Sequence, residues 1–254
     1  MKPHEEWQLP TQQLGRRVLV FDRVDSTNDL AAALAGEPDS HGVAVLAAEQ
    51  TAGRGQHGRT WSSPPGSSVL LSVFLLPPLS LRRPALLTAW AAVSVCETVR
   101  QLTGREATIK WPNDVLILGR KVCGILIEQG RGTVVGIGLN VNQSAEAFAQ
   151  AGLPHATSLA SCDGTRRDFR HVARELITRL DIEYQGLCTG DLRGLERRWV
   201  SRLALLDRLV TIESHAGTQT GQVNSIGWHG VTFETPDGQV QRLPAEAIRH
   251  IEPV

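Results

Sequence analysis

Apolar and polar residues alternate along the first third of the chain in a way that predicts short strands and one short helix. "VLVFDRV" (18–24), "VAVLAAEQ" (43–50) and "SVLLSVFLL" (68–76) are predicted as strands. The third is apolar at almost every position, which is typical of a strand buried on both faces. "STNDLAAALAGEP" (26–38) is predicted as a helix with a hydroxyl cap at its start and glycine and proline at its end.

The middle of the chain combines long helices with short strands. "RPALLTAWAAVSVCETVRQLTG" (83–104) has apolar residues at helical spacing, with proline near its first turn and glycine as its stop. The segments 165–187 and 191–203 are predicted as amphipathic helices. Between them and the first long helix, "ATIKWPND", "VLIL", "KVCGILIEQ" and "GTVVGIGLNVN" form short β segments separated by Gly-Arg turns.

The sequence pattern changes after about residue 205. Four or five short strands follow, separated by glycine, asparagine or Pro-Asp-Gly turns, which predicts a small β-barrel. The larger part has hairpin-like strand succession and a few helices, so an α+β class with a mixed sheet is expected rather than a doubly wound fold. We predict a catalytic domain over 1–204 and a small β domain over 205–254.

Composition and charge narrow the class of protein. Hydrophobic residues make up 41% and charged residues 20% of the 254 residues, and 26 basic side chains balance 26 acidic ones. Zero net charge argues against bulk binding to nucleic acid or acidic membranes. The four cysteines are widely spaced, which argues against a disulfide framework or zinc site, and no apolar leader precedes residue 18. A cytoplasmic location is expected.

The loop "GRGQHGR" (53–59) contains three glycines, two arginines and a histidine. Such a segment is not expected to pack as a regular helix or strand. Glycines let backbone N–H groups turn inward, and Arg54 and Arg59 supply planar forks for phosphate or carboxylate. The spacing matches neither a Walker A loop nor a Rossmann fingerprint. The segment therefore predicts an anion-binding loop of another architecture, with an ordinary solvated surface loop as the alternative.

Two further segments carry candidate chemistry. In "KWPND" (110–114), Lys110 would face phosphates, and Asn113 or Asp114 would orient them through Mg²⁺; the alternative is simply the end of a strand. Lys121 opens a strand, where a solvated charge is the ordinary interpretation. Gly124, Gly136 and Gly138 lie inside strand-like segments, which indicates either close approach of a ligand to the backbone or a β-bulge.

Taken together, five motifs resemble those of biotin protein ligases, in the same order: "STN", "EQTAGRGQHGRTW", "KWPND", "GRKVCGILIE" and "GIGLNVN". The resemblance covers about residues 16–145, and the C-terminal β segment resembles the SH3-like domain of that family. It implies ATP-dependent biotinylation of a lysine on a biotin carboxyl carrier domain. The reaction would pass through biotinyl-5′-AMP, with release of pyrophosphate and then AMP, and would use biotin, ATP and Mg²⁺.

The resemblance also implies roles for individual residues. Biotin contacts are expected from Ser26, Thr27, Asn28, Gln50, Gly53, Arg54, Gly55, Gln56, Lys121, Gly124 and Gly136. ATP or adenylate contacts are expected from Arg54, Gln56, Arg59, Trp61, Lys110, Asn113, Lys121, Gly138 and Asn140. Lys121, Arg54 and Lys110 are the expected catalytic residues, and Asp114 the expected Mg²⁺ ligand.

Two departures from the family pattern lead to specific expectations. Gln56 stands where the family most often has arginine in "GRGR", so we expect biotinyl-5′-AMP to be retained less tightly. Fewer than 20 residues precede the first strand, so neither a DNA-binding module nor a repressor role is expected. A homodimer is possible, and no membrane partner is expected. The competing functions are a lipoate-protein ligase of related fold and a non-catalytic sensor of biotin or nucleotide.

Overall fold

The computed structural model describes residues 2–254, and most of the strands belong to one mixed sheet. This sheet contains β1 (Glu5–Trp7), β2 (Val18–Val24), β3 (Ala44–Gln50), β4 (Ser68–Leu75), β5 (Ala107–Lys110), β6 (Asp114–Ile117), β7 (Arg120–Gln129) and β8 (Thr133–Asn140). The strand order is β1-β2-β3-β4-β8-β7-β6-β5. Strands β2 and β3 are parallel, and every other neighbouring pair is antiparallel. The expected α+β class with a mixed sheet is confirmed.

The helices lie on both faces of this sheet. They are α1 (Thr27–Ala33), α2 (Pro84–Thr103), α3 (Ala145–Gln150), α4 (Leu159–Asp163), α5 (Phe169–Cys188) and α6 (Leu192–Leu203). Helix α2 packs against β5 to β8 and against α5 and α6, whereas α1 packs against β3, β4 and β8 over a separate apolar cluster. Strand β4 is buried at every position, as its apolar sequence predicts.

A second, five-stranded antiparallel sheet follows α6. Its strands are β9 (Leu209–Ser214), β10 (Gly217–Gly227), β11 (Gly230–Glu234), β12 (Val240–Leu243) and β13 (Ile248–Pro253), in the order β12-β11-β10-β9-β13. This sheet fits the predicted small C-terminal β domain. Three tryptophans join it to the larger sheet: the rings of Trp111 and Trp199 are 5.6 Å apart, and those of Trp199 and Trp228 are 6.2 Å apart. The boundary between residues 204 and 205 stays a prediction.

Most predicted elements have the expected bounds, and the differences are local. The helix predicted over 26–38 ends at Ala33, and Ser26 occupies the N-cap position without a capping side-chain hydrogen bond. The alanines favour helix, but the chain must turn soon afterwards to enter β3. Strand β1 and the short helices α3 and α4 have too few residues for a clear periodic pattern. Within residues 2–254, no helix is both long and apolar enough to cross a membrane.

Candidate active site

A cavity of about 470 Å³ opens beside the centre of the larger sheet. Strands β7 and β8, the start of α1, the glycine-rich loop and the turn after β5 form most of its wall, and β13 of the second sheet closes one side. Of the residues predicted for the site, the cavity wall includes Ser26, Thr27, Asn28, Gln50, Arg54, Gly55, Gln56, Arg59, Trp61, Lys110, Asn113, Asp114, Lys121, Gly124, Gly136, Gly138 and Asn140. The fold thus brings together side chains from five separate sequence motifs.

One end of the cavity is lined mainly by neutral polar side chains and is densely hydrogen-bonded. Gln50 Oε1 accepts hydrogen bonds from the Thr27 backbone N–H at 2.7 Å and from its hydroxyl at 2.8 Å. Ser72 Oγ on β4 lies 2.7 Å from Thr27 Oγ1 and 2.5 Å from Asn28 Oδ1. The amide nitrogen of Asn28 donates to Glu128 Oε2 at 2.7 Å. Ser26, Thr27 and Asn28 are almost fully buried, so this end presents fixed donors and acceptors in a site shielded from water.

Side chains of the protein itself lie against the bare backbone of the strand glycines. A Cβ atom on Gly136 would lie 2.3 Å from Asn28 Oδ1, and one on Gly138 would lie 2.4 Å from the Trp61 ring. At Gly124 the same ring would be 3.0 Å away. The close approach inferred from the sequence therefore exists, but intramolecular packing against Asn28 and Trp61 already requires it, without a ligand across the strands.

The glycine-rich loop folds back on itself as an irregular hairpin. The Trp61 N–H donates to Gly53 O at 2.9 Å, and the Gly55 N–H donates to Arg59 O at 2.7 Å. His57 sits at the tip with φ of 56°, in the left-handed region. A Cβ atom at Gly53 would meet Trp61 O at 2.4 Å, so glycine is required there by the hairpin itself. Trp61 anchors the loop by placing its ring over β8.

Arg54 connects this loop to α1 and β7. Its guanidinium makes a bidentate pair with Asp29, at 2.8 and 2.6 Å, and its Nη2 lies 3.1 Å from Glu128 Oε2. The hydrogen bond from Arg54 is the main cause that lowers the pKa of Asp29. The same carboxylates raise the pKa of the guanidinium further. Arg54 thus reaches the cavity with two carboxylates already beside it.

Lys121 lies deeper, between β6 and the Trp61 ring. Its Nζ is 2.7 Å from Asp114 Oδ1 and 5.7 Å from the centroid of the Trp61 ring. A register shift between Val115 and Leu116 in the β6–β7 pairing lies next to this contact. The pair places an ammonium group on the cavity wall whose charge is balanced by a carboxylate, so an incoming anion would have to take the place of Asp114.

The "KWPND" motif forms the turn between β5 and β6. Lys110 Nζ donates a hydrogen bond to Glu252 of β13. The Asn113 amide donates to Ile125 O at 2.8 Å, and the Ile125 N–H returns a bond of 3.0 Å to Asn113 O. The side chain of Asn113 therefore holds β7 in place, and its expected part in orienting phosphates through Mg²⁺ stays a prediction.

Asn140 is held in a similar way on β8. Its amide nitrogen donates to Thr157 O at 3.0 Å, and its Oδ1 accepts from Gln143 at 3.2 Å. Its side chain is almost fully buried. In this structure Asn140 fixes the segment after α3 to the cavity wall, so any adenylate contact would share an amide that is already engaged.

Known proteins similar to this chain include biotin ligases. Residues 20–143 match the sequence profile of the biotin/lipoate A/B protein ligase family. The chain is 32% identical over 237 residues to a bifunctional ligase/repressor of Bacillus spizizenii, which covers 91% of this chain and 73% of the relative. It is 36% identical over 190 residues to the biotin–[acetyl-CoA-carboxylase] ligase of Mycobacterium tuberculosis, covering 70% of each.

A solved structure shows the same architecture. The biotin protein ligase of Aquifex aeolicus, in complex with biotin and ATP, superposes with a TM-score of 0.81 at 26% identity, covering 93% of this chain and 99% of the other. The chain belongs to the biotin protein ligase family. It is accordingly an enzyme of the ligase class, and the resemblance recognised from its sequence is confirmed.

Several residues that hold the predicted site residues in place were not themselves predicted from the sequence. Ser72 and Glu128 fix Asn28, and Asp29 and Glu128 fix Arg54. Asp29 directly follows the STN motif and Glu128 is the last residue of GRKVCGILIE, so both acids lie next to residues that the sequence marks. Ser72 interrupts an otherwise apolar buried strand, which also signals a polar role. Glu252 is 142 residues from Lys110, and no local pattern connects the two.

Charge pairing is the common feature of the cavity cations. Arg54, Lys110 and Lys121 each contact a carboxylate, whereas Arg59 has none within 4.0 Å among residues 2–254. Among the same residues there is no group of three histidine, cysteine, aspartate or glutamate side chains placed to hold a metal ion. Asp114, the expected Mg²⁺ ligand, forms an ion pair with Lys121 in this structure.

Proposed function

We propose that this ligase uses ATP to attach biotin to a specific lysine of a biotin carboxyl carrier domain. In the first step a biotin carboxylate oxygen attacks the α-phosphorus, the α–β P–O bond breaks, and pyrophosphate leaves. In the second step the lysine amine attacks the carbonyl of biotinyl-5′-AMP, loses a proton, and AMP leaves as the C–O bond breaks. The first step brings two anions together, and the second brings an amine to a polar anhydride. Both therefore depend chiefly on positioning and positive charge.

The juxtaposition of neutral hydrogen-bonding side chains with three cations supports the proposal best. The ureido ring of biotin is neutral and both donates and accepts hydrogen bonds, which suits Thr27, Asn28 and Gln50. Its carboxylate and the nucleotide phosphates suit the end near Lys110 and Lys121. The cavity volume of about 470 Å³ falls within the range of about 300–1,000 Å³ typical of small-molecule sites.

Each cation is proposed to exchange its carboxylate partner for a substrate anion. Lys121 would leave Asp114 to stabilise charge on the biotin carboxylate and α-phosphate, while Arg54 would act from the loop and Lys110 on the phosphates. Arg59 and Gln56 would act at the cavity mouth. Trp61 would provide a ring face for the adenine or an apolar wall beside it. The glycines at 55, 124, 136 and 138 line the cavity and would present their backbone to the ligand, whereas Gly53 would act through the loop hairpin that it closes.

Mg²⁺ is proposed to enter with ATP as the ion of the substrate. Mg²⁺ usually keeps several waters and is held by one or two carboxylates together with substrate phosphates. Asp114 offers such a carboxylate once Lys121 turns toward an anion, since the two side chains are 2.7 Å apart. The ion would then balance phosphate charge that the protein cations do not reach.

The decisive experiment is transfer of label to a carrier domain. The protein is mixed with Mg-ATP and labelled biotin or labelled lipoate, together with a biotin carboxyl carrier domain or its lysine-to-arginine variant. Biotin transfer only to the intact carrier, with AMP and pyrophosphate as products, is expected. Transfer of lipoate instead would identify a lipoate-protein ligase. Tight binding without transfer of either would identify a sensor of biotin or nucleotide.

Further proposals concern organisation and surroundings. We propose residues 1–204 as the catalytic unit and 205–254 as the SH3-like unit, acting in the cytoplasm. Zero net charge favours a ligase without DNA binding, and specific retardation of a biotin-operon promoter at moderate salt would contradict this. A homodimer is proposed as well, and sedimentation at micromolar concentration tests it.

A further inference from the structure

The edge strand of the second sheet contributes directly to the cavity. Strand β13 pairs only with β9 among the strands of its sheet, so its other edge is free. Ile251 is buried, whereas His250 and Glu252, two residues apart, both line the cavity. Alternation along a strand places residues 250 and 252 on one face. This face is directed at the side chains proposed to bind nucleotide phosphates.

Glu252 is the partner of Lys110. Lys110 Nζ donates a hydrogen bond to Glu252 Oε1, and this contact is the main cause that lowers the pKa of the Glu252 carboxyl group. The Lys121–Asp114 pair lies within the larger sheet, between β6 and the start of β7. The Lys110–Glu252 pair instead crosses from one sheet to the other.

The backbones of Lys110 and Glu252 are held by packing and strand pairing, whereas their side chains are partly exposed. Trp111, next to Lys110, packs on Trp199, and Glu252 pairs with Thr211 of β9. The side chains of Lys110 and Glu252 are 40% and 56% exposed. An ion pair this exposed is weak because water screens it. A nucleotide triphosphate, with several negative charges, would therefore displace the carboxylate from the ammonium group.

His250, two residues before Glu252, has one ring nitrogen without a protein partner. The Nδ1 atom of His250 is buried and forms no hydrogen bond with any described residue. A buried ring nitrogen without a partner is costly unless something else satisfies it. His250 contributes to the cavity wall beside Glu252, but its Nδ1 is closed to solvent in this arrangement and is not itself offered to a ligand.

We propose that Glu252 is a built-in counter-anion that competes with nucleotide phosphates for Lys110 and so limits the affinity for ATP. The inference rests on the proposed function, in that the incoming anion is a nucleotide. When the phosphates bind, the carboxylate is left beside like charge, which raises the dissociation constant of ATP and favours release of pyrophosphate. The small β domain would thereby set nucleotide affinity with a side chain from its edge strand.

Calorimetric titration with a non-hydrolysable ATP analogue and Mg²⁺ tests this directly. Glu252→Gln keeps the size of the side chain and removes its charge. We expect about fivefold tighter binding of the analogue, equivalent to about 1 kcal/mol, with unchanged affinity for biotin. Glu234→Gln removes an exposed glutamate from β11 of the same sheet, outside the cavity wall, and should leave both affinities unchanged.

A double-mutant cycle assigns the effect to the pair. In a Lys110→Gln background, Glu252→Gln should no longer tighten binding by more than about twofold, because the ammonium group it competes for is gone. Weaker binding of the analogue by Glu252→Gln alone would overturn the proposal and mark Glu252 as a direct ligand of the nucleotide or its metal. Unchanged binding would overturn it as well, by showing that the pair does not compete.

A further titration separates failure of the counter-anion inference from failure of the proposed biotin transfer. Inorganic tripolyphosphate, titrated in the same way, reports the anion site without adenine or transfer. If the parent protein fails to biotinylate a carrier yet Glu252→Gln binds tripolyphosphate and the analogue more tightly, the counter-anion inference stands alone. If transfer occurs normally and neither anion distinguishes the variant from the parent, only the counter-anion inference fails.

Discussion

Replacing Gly136 by alanine would place a methyl group 2.3 Å from Asn28 Oδ1, about 1.1 Å inside the 3.4 Å limit of ordinary contact. Neither side can move freely. Gly136 lies on β8 between Ser72 of β4 and Leu126 of β7, so both neighbouring strands hold its backbone. Asn28 is buried and bound to Ser72 and Glu128 at 2.5 and 2.7 Å. The methyl group must therefore displace the Asn28 amide.

The expected cost follows from the contacts that would break. Forcing one extra methyl group into a packed site costs about 1–3 kcal/mol. Losing a hydrogen bond to a charged partner such as Glu128 costs about 1.5–3 kcal/mol. Because one displacement causes both effects, we expect the free energy of unfolding to fall by about 2–3 kcal/mol. The KM for biotin should rise about tenfold, with the KM for ATP nearly unchanged.

Urea unfolding followed by tryptophan fluorescence measures the first effect, and initial rates of biotin transfer measure the second. Gly130→Ala is the matched control, since a Cβ atom there meets nothing within 4 Å and the residue does not have a left-handed φ. Its free energy of unfolding should stay within about 0.5 kcal/mol of the parent. In an Asn28→Ala background the clashing amide is gone. There Gly136→Ala should lower the free energy of unfolding by about 1 kcal/mol less than it does in the parent. Equal costs in both backgrounds would refute the proposed contact.

Three further predictions concern the loop and the contact between the sheets. Gln56→Arg should slow release of biotinyl-5′-AMP by adding a charge beside it; identical release rates for variant and parent would reject this. Asp29→Asn removes the bidentate partner of Arg54, so loop amides should exchange hydrogen faster at pH 7. In the parent, the lowered pKa of Asp29 means that the pair stabilises the protein above the usual carboxyl range and loses this contribution as pH falls through the lowered value. The same amides should therefore exchange faster, after correction for intrinsic rates, only in strong acid. Trp199→Ala should destabilise the protein by about 3–5 kcal/mol and expose the second sheet to proteases, and an unchanged cleavage pattern would contradict a supporting role for the Trp199–Trp228 stack.

The sequence by itself determined the elements and much of the candidate site. Strand bounds such as Val18–Val24 and Ser68–Leu75, and the helix Pro84–Thr103, follow from the spacing of apolar residues and from local stop signals. The order of the motifs identified the family. The glycines within β7 and β8 also signalled close approach, because a strand tolerates glycine poorly without such a reason.

Only the tertiary structure decided what those residues contact. The glycines at 136 and 138 face Asn28 and Trp61, Asn113 holds the backbone of β7, and Lys110 meets Glu252 from the far end of the chain. The spacing of apolar residues and the helix or strand propensity depend on neighbours a few residues away, so both can be predicted from the sequence. The pairing of a charge with its partner depends on how distant elements pack, and two oppositely charged residues 142 positions apart share no local signal.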